Sequence, residues 1–432
     1  MTLTHPVIVV PGITATNLRD EYPLSPDFVW SQIFNKEYER ITLHPDNLNY
    51  EAVEPSRVLP DQVFDLVYKE LINELRYNLK DKEDEPVPVF AFPYDWRMPL
   101  AKVVLQFSDF VGEVVDRTRL MRHYHNNGYD GKVNLVGHSM GGLIIAGYLA
   151  YKKTDSRINK IATLATPFGG SFEAIIKITT GTANLGATPP GSREREMARI
   201  TPALYHLLPD FDDCIVLENG NGINIFDPKY WQPSIISSIA EIIRLRGLPT
   251  NDMNGDAAKL FSDILKTAEI YKASVNDFTL QSAGLDSGKW MAVAGAGTET
   301  RVRVTIRYEN NTPLFVFNSD DRKNLWEDTD TKLRYETGDG TVPLKAAVPK
   351  FLNRENIIVA VPDDFGYWEF QDKLVSKASG FHGMLPNMDM LHRLIVRFFK
   401  DAPDYNNNTW GRPLPGVTEW HPPIELRNKN SN

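Results

Sequence analysis

The sequence predicts an α/β fold, a mostly parallel sheet flanked by helices and interrupted by one helical insertion. Three observations lead there: short apolar runs, amphipathic stretches between them, and one long span in which the runs stop. The runs occupy residues 7–10, 87–92, 133–136, 161–164, 290–294 and 357–361, each bounded by turn-forming residues. A strand that is apolar on both faces fits a sheet covered on both sides, which is where parallel strands are found. Between the runs, Val63, Phe64, Val67, Leu71, Leu75 and Leu79 recur at helical spacing, as do Val103, Val104, Phe107, Val111, Val114 and Val115. A helix with one apolar face is what packs against such a sheet.

The alternation breaks between residues 171 and 288, where helical segments at 235–245 and 257–271 follow one another without a convincing strand. This span reads as a cap inserted into the core, introduced by a loop at 179–192 whose glycine, proline and threonine suit a mobile connection. Within it, Ile235, Ile236, Ile239, Ile242 and Ile243 form a broad apolar stripe, expected to line an acyl site. The predicted organisation is a core of residues 1–170 and 289–400, a cap at 171–288 and an extended arm at 401–432. Pro403, Pro413, Pro415, Pro422 and Pro423 mark the arm, and Trp410 and Trp420 are expected to anchor it.

The 432 residues, 42% of them hydrophobic and 24% charged, suffice for a sizeable core. A net charge of −9 argues against a general nucleic-acid binder, because neutralising phosphates takes a basic surface. Cys214 is the only cysteine, so no intramolecular disulfide can form. With no signal-peptide pattern at the start, the expectation is a cytoplasmic protein. No stretch approaches the roughly 20 apolar residues of a membrane-spanning helix, so lipid contact would be peripheral.

The strongest motif is Gly137-His138-Ser139-Met140-Gly141, preceded by the apolar run and followed by the helical Leu143-Ile144-Ile145-Ala146. A serine at a sharp strand-to-helix turn sits in a strained conformation, and residues without a β-carbon fit the crowded positions two before and two after it. The hydroxyl is thereby presented as a nucleophile. The Met140 N–H, at the start of a helix, is placed to stabilise an oxyanion. The fold class narrows to the α/β-hydrolase type, in which the acid and then the histidine follow the serine along the chain.

That order leaves His206, His382, His392 and His421. His206 falls in the insertion, His392 on an apolar helix face and His421 in the arm, whereas His382 follows the last strand in the glycine-flanked Gly380-Phe381-His382-Gly383. His382 is the expected general acid/base. Asp339, between Gly338 and Gly340, is the expected orienting acid, with Asp328 and Asp330 in reserve. A second oxyanion donor should come from the loop after an early strand; Pro11-Gly12-Ile13 ends one, and the Ile13 N–H is the candidate. The acidic residues Asp320, Asp321, Glu327, Asp328 and Asp330 lack the spacing and turn glycine of a calcium loop, so neither metal nor cofactor is implied.

With these residues in place, the chain resembles the lecithin:cholesterol acyltransferase family, which also holds lysosomal phospholipase A2 and phospholipid:diacylglycerol acyltransferase. The matching segments run in order: residues 5–12, Pro93-Tyr94-Asp95-Trp96-Arg97, the serine elbow, residues 165–171, residues 202–209, residues 338–342 and Phe381-His382-Gly383. The resemblance implies an α/β-hydrolase core with a helical cap and lipid-like acyl esters as substrates. It also implies Ser139, Asp339 and His382 as the triad, with Ile13 and Met140 at the oxyanion positions. The secreted members close an early lid loop with a disulfide; the corresponding residues 16–60 hold no cysteine, which counts against lipoprotein or membrane docking by that loop. Trp30, in that stretch, is expected to pack rather than to face lipid.

The function expected is hydrolysis of a carboxylic ester through an acyl-enzyme, with transfer of the acyl group to an alcohol as the alternative. A catalytically inactive binding module is a third reading, and the filled triad positions argue against it.

Overall fold

The computed structural model describes residues 3–22, 25–31, 35–46, 57–181, 192–366, 369 and 380–429. All six expected strands form, and they form one sheet: β1 (Val7–Val10), β2 (Val89–Ala91), β3 (Val133–His138), β4 (Ile158–Leu164), β5 (Trp290–Gly295) and β6 (Ile357–Ala360). They pair in parallel in the order β6-β5-β4-β3-β1-β2. This is the α/β-hydrolase fold. From β1 the chain crosses to β2 on one side and then returns to β3 on the other, so the strand order reverses between β1 and β3. Ligands of open α/β sheets bind beyond the carboxyl ends of the strands at such a reversal.

The long helices are α1 (Asp65–Leu79), α2 (Leu100–Arg119), α3 (Met140–Lys152), α4 (Phe172–Thr180), α5 (Ser192–Arg199), α6 (Ser234–Leu245), α7 (Met253–Asn276) and α8 (Asp389–Lys400). Successive strand side chains point to opposite faces, and two cores result. Ile8, Val10 and Leu135 meet α2 and α3 on one face; Val7, Val9 and Val136 meet α1 and α8 on the other. The apolar stripe of α2 is buried from Val103 to Val115 as its spacing predicts. That of α1 is buried at Val67, Leu71, Leu75 and Leu79. Val63 and Phe64 lie outside it, the first closing a strand and the second at the N-cap.

Among the described residues, four smaller sheets were not visible in the apolar pattern, two of them with more than two strands. In residues 16–60, read as a loop, and just beyond them, Asn35–Lys36, Asp27–Ser31, Thr16–Asp20 and Val58–Val63 pair antiparallel in that order. Residues 171–288, expected as a helical insertion, are not purely helical either. Ile215–Leu217 pairs with Val304–Glu309, which forms a hairpin with Thr312–Val316. The stripe on α6 packs into the core against α5 and α7. Residues 182–191 of the connecting loop lie outside the described residues. In the C-terminal stretch the Trp420 indole donates to the Ile357 carbonyl at 2.9 Å, and the Trp410 ring lies 5.5 Å from the Arg393 guanidinium and 5.2 Å from the Lys429 ammonium. Among the described residues, no helix is long and apolar enough to cross a membrane.

Candidate active site

The serine elbow lies at the end of β3, where the strand reversal predicts a site. Ser139 has φ 53° and ψ −129°, a region costing a non-glycine residue about 1–3 kcal/mol that its surroundings must hold in place. Its N–H donates to the Leu164 carbonyl of β4 at 2.9 Å. A β-carbon at position 137 would stand 2.8 Å from the Gly142 nitrogen, and one at 141 would run into the Val10 carbonyl oxygen. Both glycines are therefore required for the helix to start so close to the strand ends. The loop leaving β1 passes over the serine: a β-carbon at Gly12 would lie 2.9 Å from that of Ser139.

Around the elbow, the three candidate side chains converge. His382 Nε2 lies 2.9 Å from Ser139 Oγ, and His382 Nδ1 lies 2.7 Å from Asp339 Oδ2. All three residues are buried. The other carboxylate oxygen of Asp339 accepts the N–H groups of Thr341 and Val342 at 3.0 and 2.7 Å. The His382 N–H donates to the Asp339 carbonyl at 3.0 Å. Gly295, at the end of β5, makes room for this acid, since a β-carbon there would sit 2.5 Å from that of Asp339. His382 follows Gly380, whose φ of 98° turns the chain into the single helical turn Phe381–Met384. With a carboxylate at Nδ1, that nitrogen carries the proton and Nε2 offers its lone pair to the serine hydroxyl.

The two backbone donors expected at the oxyanion position, Ile13 and Met140, flank the serine from the β1 loop and from the first residue of α3. Neither N–H is engaged by a described residue. The β1 loop is held by aromatic side chains from a helix, a strand and the loop after β2. The Tyr94 hydroxyl donates to the Pro11 carbonyl at 2.9 Å, the Gly12 N–H donates to the Tyr68 hydroxyl at 2.8 Å, and the Trp30 indole donates to the Thr14 carbonyl at 3.0 Å. Trp30 is thus packed, as expected, its ring 4.9 Å from that of Trp96 and tilted to it by 56°. Between Tyr94 and Trp96, Asp95 holds Arg97 through two hydrogen bonds of 2.8 and 2.6 Å, and Arg97 in turn donates to the carbonyls of Ile41 and Val58.

A cavity of about 70 Å³ opens beside the Ser139 hydroxyl. Its walls are mostly apolar, with Ile13, Val67, Ala174, Leu204, Leu207 and Val342 among them. Glu173 and Lys177 of α4 also reach it, Lys177 paired with the buried Glu194. None of the five isoleucines of α6 lines this cavity among the described residues, so the expectation that they shape an acyl site is corrected. The residues of 171–288 that do line it are Ser171, three from α4, Leu204 and Leu207.

The reserve residues lie elsewhere. Asp328 is half-buried and Asp330 exposed, and each accepts a backbone N–H group of its own turn at 2.8 Å. His392 is buried on α8 with Nε2 donating to the Pro386 carbonyl at 2.6 Å, and the His421 side chain is exposed. His206 is enclosed; its Nε2 accepts the Leu100 N–H at 3.2 Å. Burial, and then the Lys272 ammonium, push the His206 ring down to about 3. The ring is therefore neutral in the folded protein, whereas in the unfolded chain it takes up a proton below about pH 6.5. Stability contributed this way is complete above pH 6.5 and is lost as the pH falls from there toward 3. Urea unfolding of wild type and of His206→Gln, compared between pH 7 and 5, should diverge by about 1.4 kcal/mol per pH unit below pH 6, wild type being the more acid-sensitive. A constant difference across that range would rule the linkage out.

Two residues here carry hydrogen bonds that the sequence did not single out: Tyr68, on the buried face of α1, and His138, inside the elbow motif. Spacing hides the first as a core aromatic; the position next to the serine was the available signal for the second.

The chain is similar to known proteins in part of its sequence and in its fold. Residues 58–242 match the family model for lecithin:cholesterol acyltransferase. Over that stretch the chain is lecithin:cholesterol acyltransferase-like. The lecithin:cholesterol acyltransferase-like stretch includes Ser139 and Met140, while Ile13, Asp339 and His382 lie outside it. It supports an enzyme that acts on acyl esters. Among solved structures, a chain of the Tle4–Tli4 complex is similar with a TM-score of 0.59 at 14% identity, covering 93% of this chain and 100% of that one, a likeness of fold. Phospholipase PlaB from Legionella pneumophila aligns over 48% of this chain and 36% of its own, at 15% identity and a TM-score of 0.24. No curated protein sequence gives a match.

Proposed function

We propose that this protein is a serine ester hydrolase acting on lipid-like acyl esters, with Ser139 as nucleophile, His382 as general acid/base and Asp339 as its orienting acid. The supporting observation is the unbroken hydrogen-bonded series from Asp339 through His382 to Ser139 beside an apolar-walled cavity. Ser139 Oγ attacks the ester carbonyl while its proton passes to His382 Nε2. The charge that develops on the carbonyl oxygen is met by the Met140 and Ile13 N–H groups. The tetrahedral adduct then expels the alcohol, which takes the proton from Nε2, leaving an acyl-enzyme. Water, activated by the same nitrogen, attacks the acyl carbon and releases the carboxylic acid and the serine.

An alcohol in place of water would make the same site an acyltransferase. A fluorophosphonate probe tests the serine: modification of Ser139, abolished in Ser139→Ala, is expected. An ester panel of increasing acyl length, run with and without added alcohol, separates the two second steps; alcohol-dependent formation of a new ester would move the reading to transfer.

The cavity walls also predict how acyl length is read. Leu207→Ala enlarges the cavity and should shift the optimum toward longer chains. Ile239→Ala, in the packed stripe of α6, should cost about 2–5 kcal/mol of stability and leave the length profile unchanged. A profile that shifts with Ile239 and not with Leu207 would contradict this placement.

A further inference from the structure

Tyr68 and His138 make or break no bond in the mechanism above, yet both are buried and tied to the two loops that carry it. Their donor and acceptor roles follow from chemistry. The His382 carbonyl oxygen, 3.0 Å from His138 Nε2, can only accept, so Nε2 carries the proton. Burial, and then the neighbouring His382, hold the His138 ring well below its ordinary titration range and therefore neutral. Its Nδ1 thus has a free lone pair, and the Tyr68 hydroxyl 2.8 Å away donates to it. The same hydroxyl oxygen accepts the Gly12 N–H at 2.8 Å.

The outcome is a single series of bonds running one way, from Gly12 N–H through Tyr68 and His138 to the His382 carbonyl. At its far end the His382 N–H donates to the Asp339 carbonyl, so the backbone of the histidine is held on both sides. At its near end the Pro11–Gly12 peptide is held on both sides too, by Tyr94 at the carbonyl and Tyr68 at the N–H. The next peptide, which carries the Ile13 N–H, is held at its Gly12 carbonyl by the Ala15 N–H at 3.4 Å.

We propose that Tyr68 and His138 are positioning residues that lock the oxyanion loop after β1 to the backbone of His382, keeping the two halves of the site in register. This rests on the reading of Ser139 as the nucleophile. The two loops are more than 350 residues apart in sequence, roughly the span from Ile13 to His382, and no ladder of the sheet joins them. A misplacement of about 1 Å between reacting groups lowers the rate about a hundredfold.

The test uses the full chain and a soluble short-chain ester, with kcat and KM measured separately for Tyr68→Phe, His138→Leu, His138→Gln and the Tyr68→Phe/His138→Leu pair. Tyr68→Phe removes one oxygen and should lower kcat about ten- to a hundredfold while KM stays within about twofold, because alignment rather than substrate binding is lost. His138→Leu should do at least as much, and the double variant no more than the worse single one. His138→Gln, whose amide can still donate to the His382 carbonyl, should recover part of the loss. Normal kcat in Tyr68→Phe, whatever its melting temperature, overturns the proposal, as do losses that multiply in the pair. Should His138→Leu fail to fold, Tyr68→Phe alone decides. If phosphonate modifies Ser139 in wild type and Tyr68→Phe is normal, only this inference fails. If wild type is not modified at Ser139, the functional reading falls and this proposal with it.

Discussion

Ser139→Ala is expected to yield a folded protein whose ester turnover is lower by about a million-fold. The substitution removes a single oxygen and retains the β-carbon, so the strained backbone at φ 53° is asked to hold nothing new. The elbow is fixed by the Ser139 N–H on Leu164 and by the glycines around it, none of which depends on the hydroxyl. His382→Ala should cost about as much, and the double variant should lose no more than either alone, because nucleophile and base act as a unit. What remains, roughly a thousandfold or more over the uncatalysed rate, belongs to the backbone donors and to substrate binding. Single-turnover rates and thermal unfolding of the three variants check this. Near-normal turnover in Ser139→Ala, or losses that multiply in the pair, would remove these residues from the roles given to them.

The parallel sheet was legible because its strands are buried on both faces and therefore uninterrupted in sequence. Ile8 and Val10 face one core and Val7 and Val9 the other, so Val7–Val10 needs four apolar residues in a row. The strands of the smaller sheets bury one face, and their sequences alternate with polar or charged residues, as in Thr16-Asn17-Leu18-Arg19-Asp20. Such a run is easily taken for a loop. One signal was present all the same: Asn310 and Asn311 join Val304–Glu309 to Thr312–Val316, and both have positive φ, which is the backbone of a tight hairpin turn. The stripe on α6 shows the opposite limit. Periodicity states that a helix face is buried, and nothing in it distinguishes a neighbouring helix from a ligand cavity.

At the site, the legible residues are those whose chemistry needs an unusual backbone. Ser139, Asp339 and His382 each have glycine close by, and in each case the structure gives the reason: the elbow at Gly137 and Gly141, the crowding of Gly338 against the Val342 carbonyl and the positive φ of Gly340 on either side of the acid, the positive φ of Gly380 before the histidine. Tyr68 and His138 act through ordinary backbone in a regular helix and a regular strand; nothing local marks Tyr68, and only the place beside the serine marks His138. Their roles depend on contacts between residues 12, 68, 138 and 382, which only the fold brings together.

Asp339→Asn should lower kcat about ten-thousandfold with little loss of stability, and the hydrogen bonds at this residue give the reason. One carboxylate oxygen accepts the buried N–H groups of Thr341 and Val342; the other faces His382 Nδ1. An asparagine could place its amide nitrogen at either position. Turned toward the two backbone donors, it would leave both unpaired, at about 1–3 kcal/mol each. The amide oxygen therefore stays with Thr341 and Val342, and the NH₂ group points at His382. A donor there can be satisfied only if Nδ1 has no proton, which moves the ring's hydrogen to Nε2. That nitrogen then presents a hydrogen to Ser139 Oγ, 2.9 Å away, where deprotonating the serine requires a lone pair. The histidine remains in place but in the wrong tautomer, so substrate binding should persist and KM should change little. Asp328→Asn and Asp330→Asn, which alter exposed turns, should retain turnover within about a factor of two. If either of these proved more damaging than Asp339→Asn, the orienting role would belong to it instead.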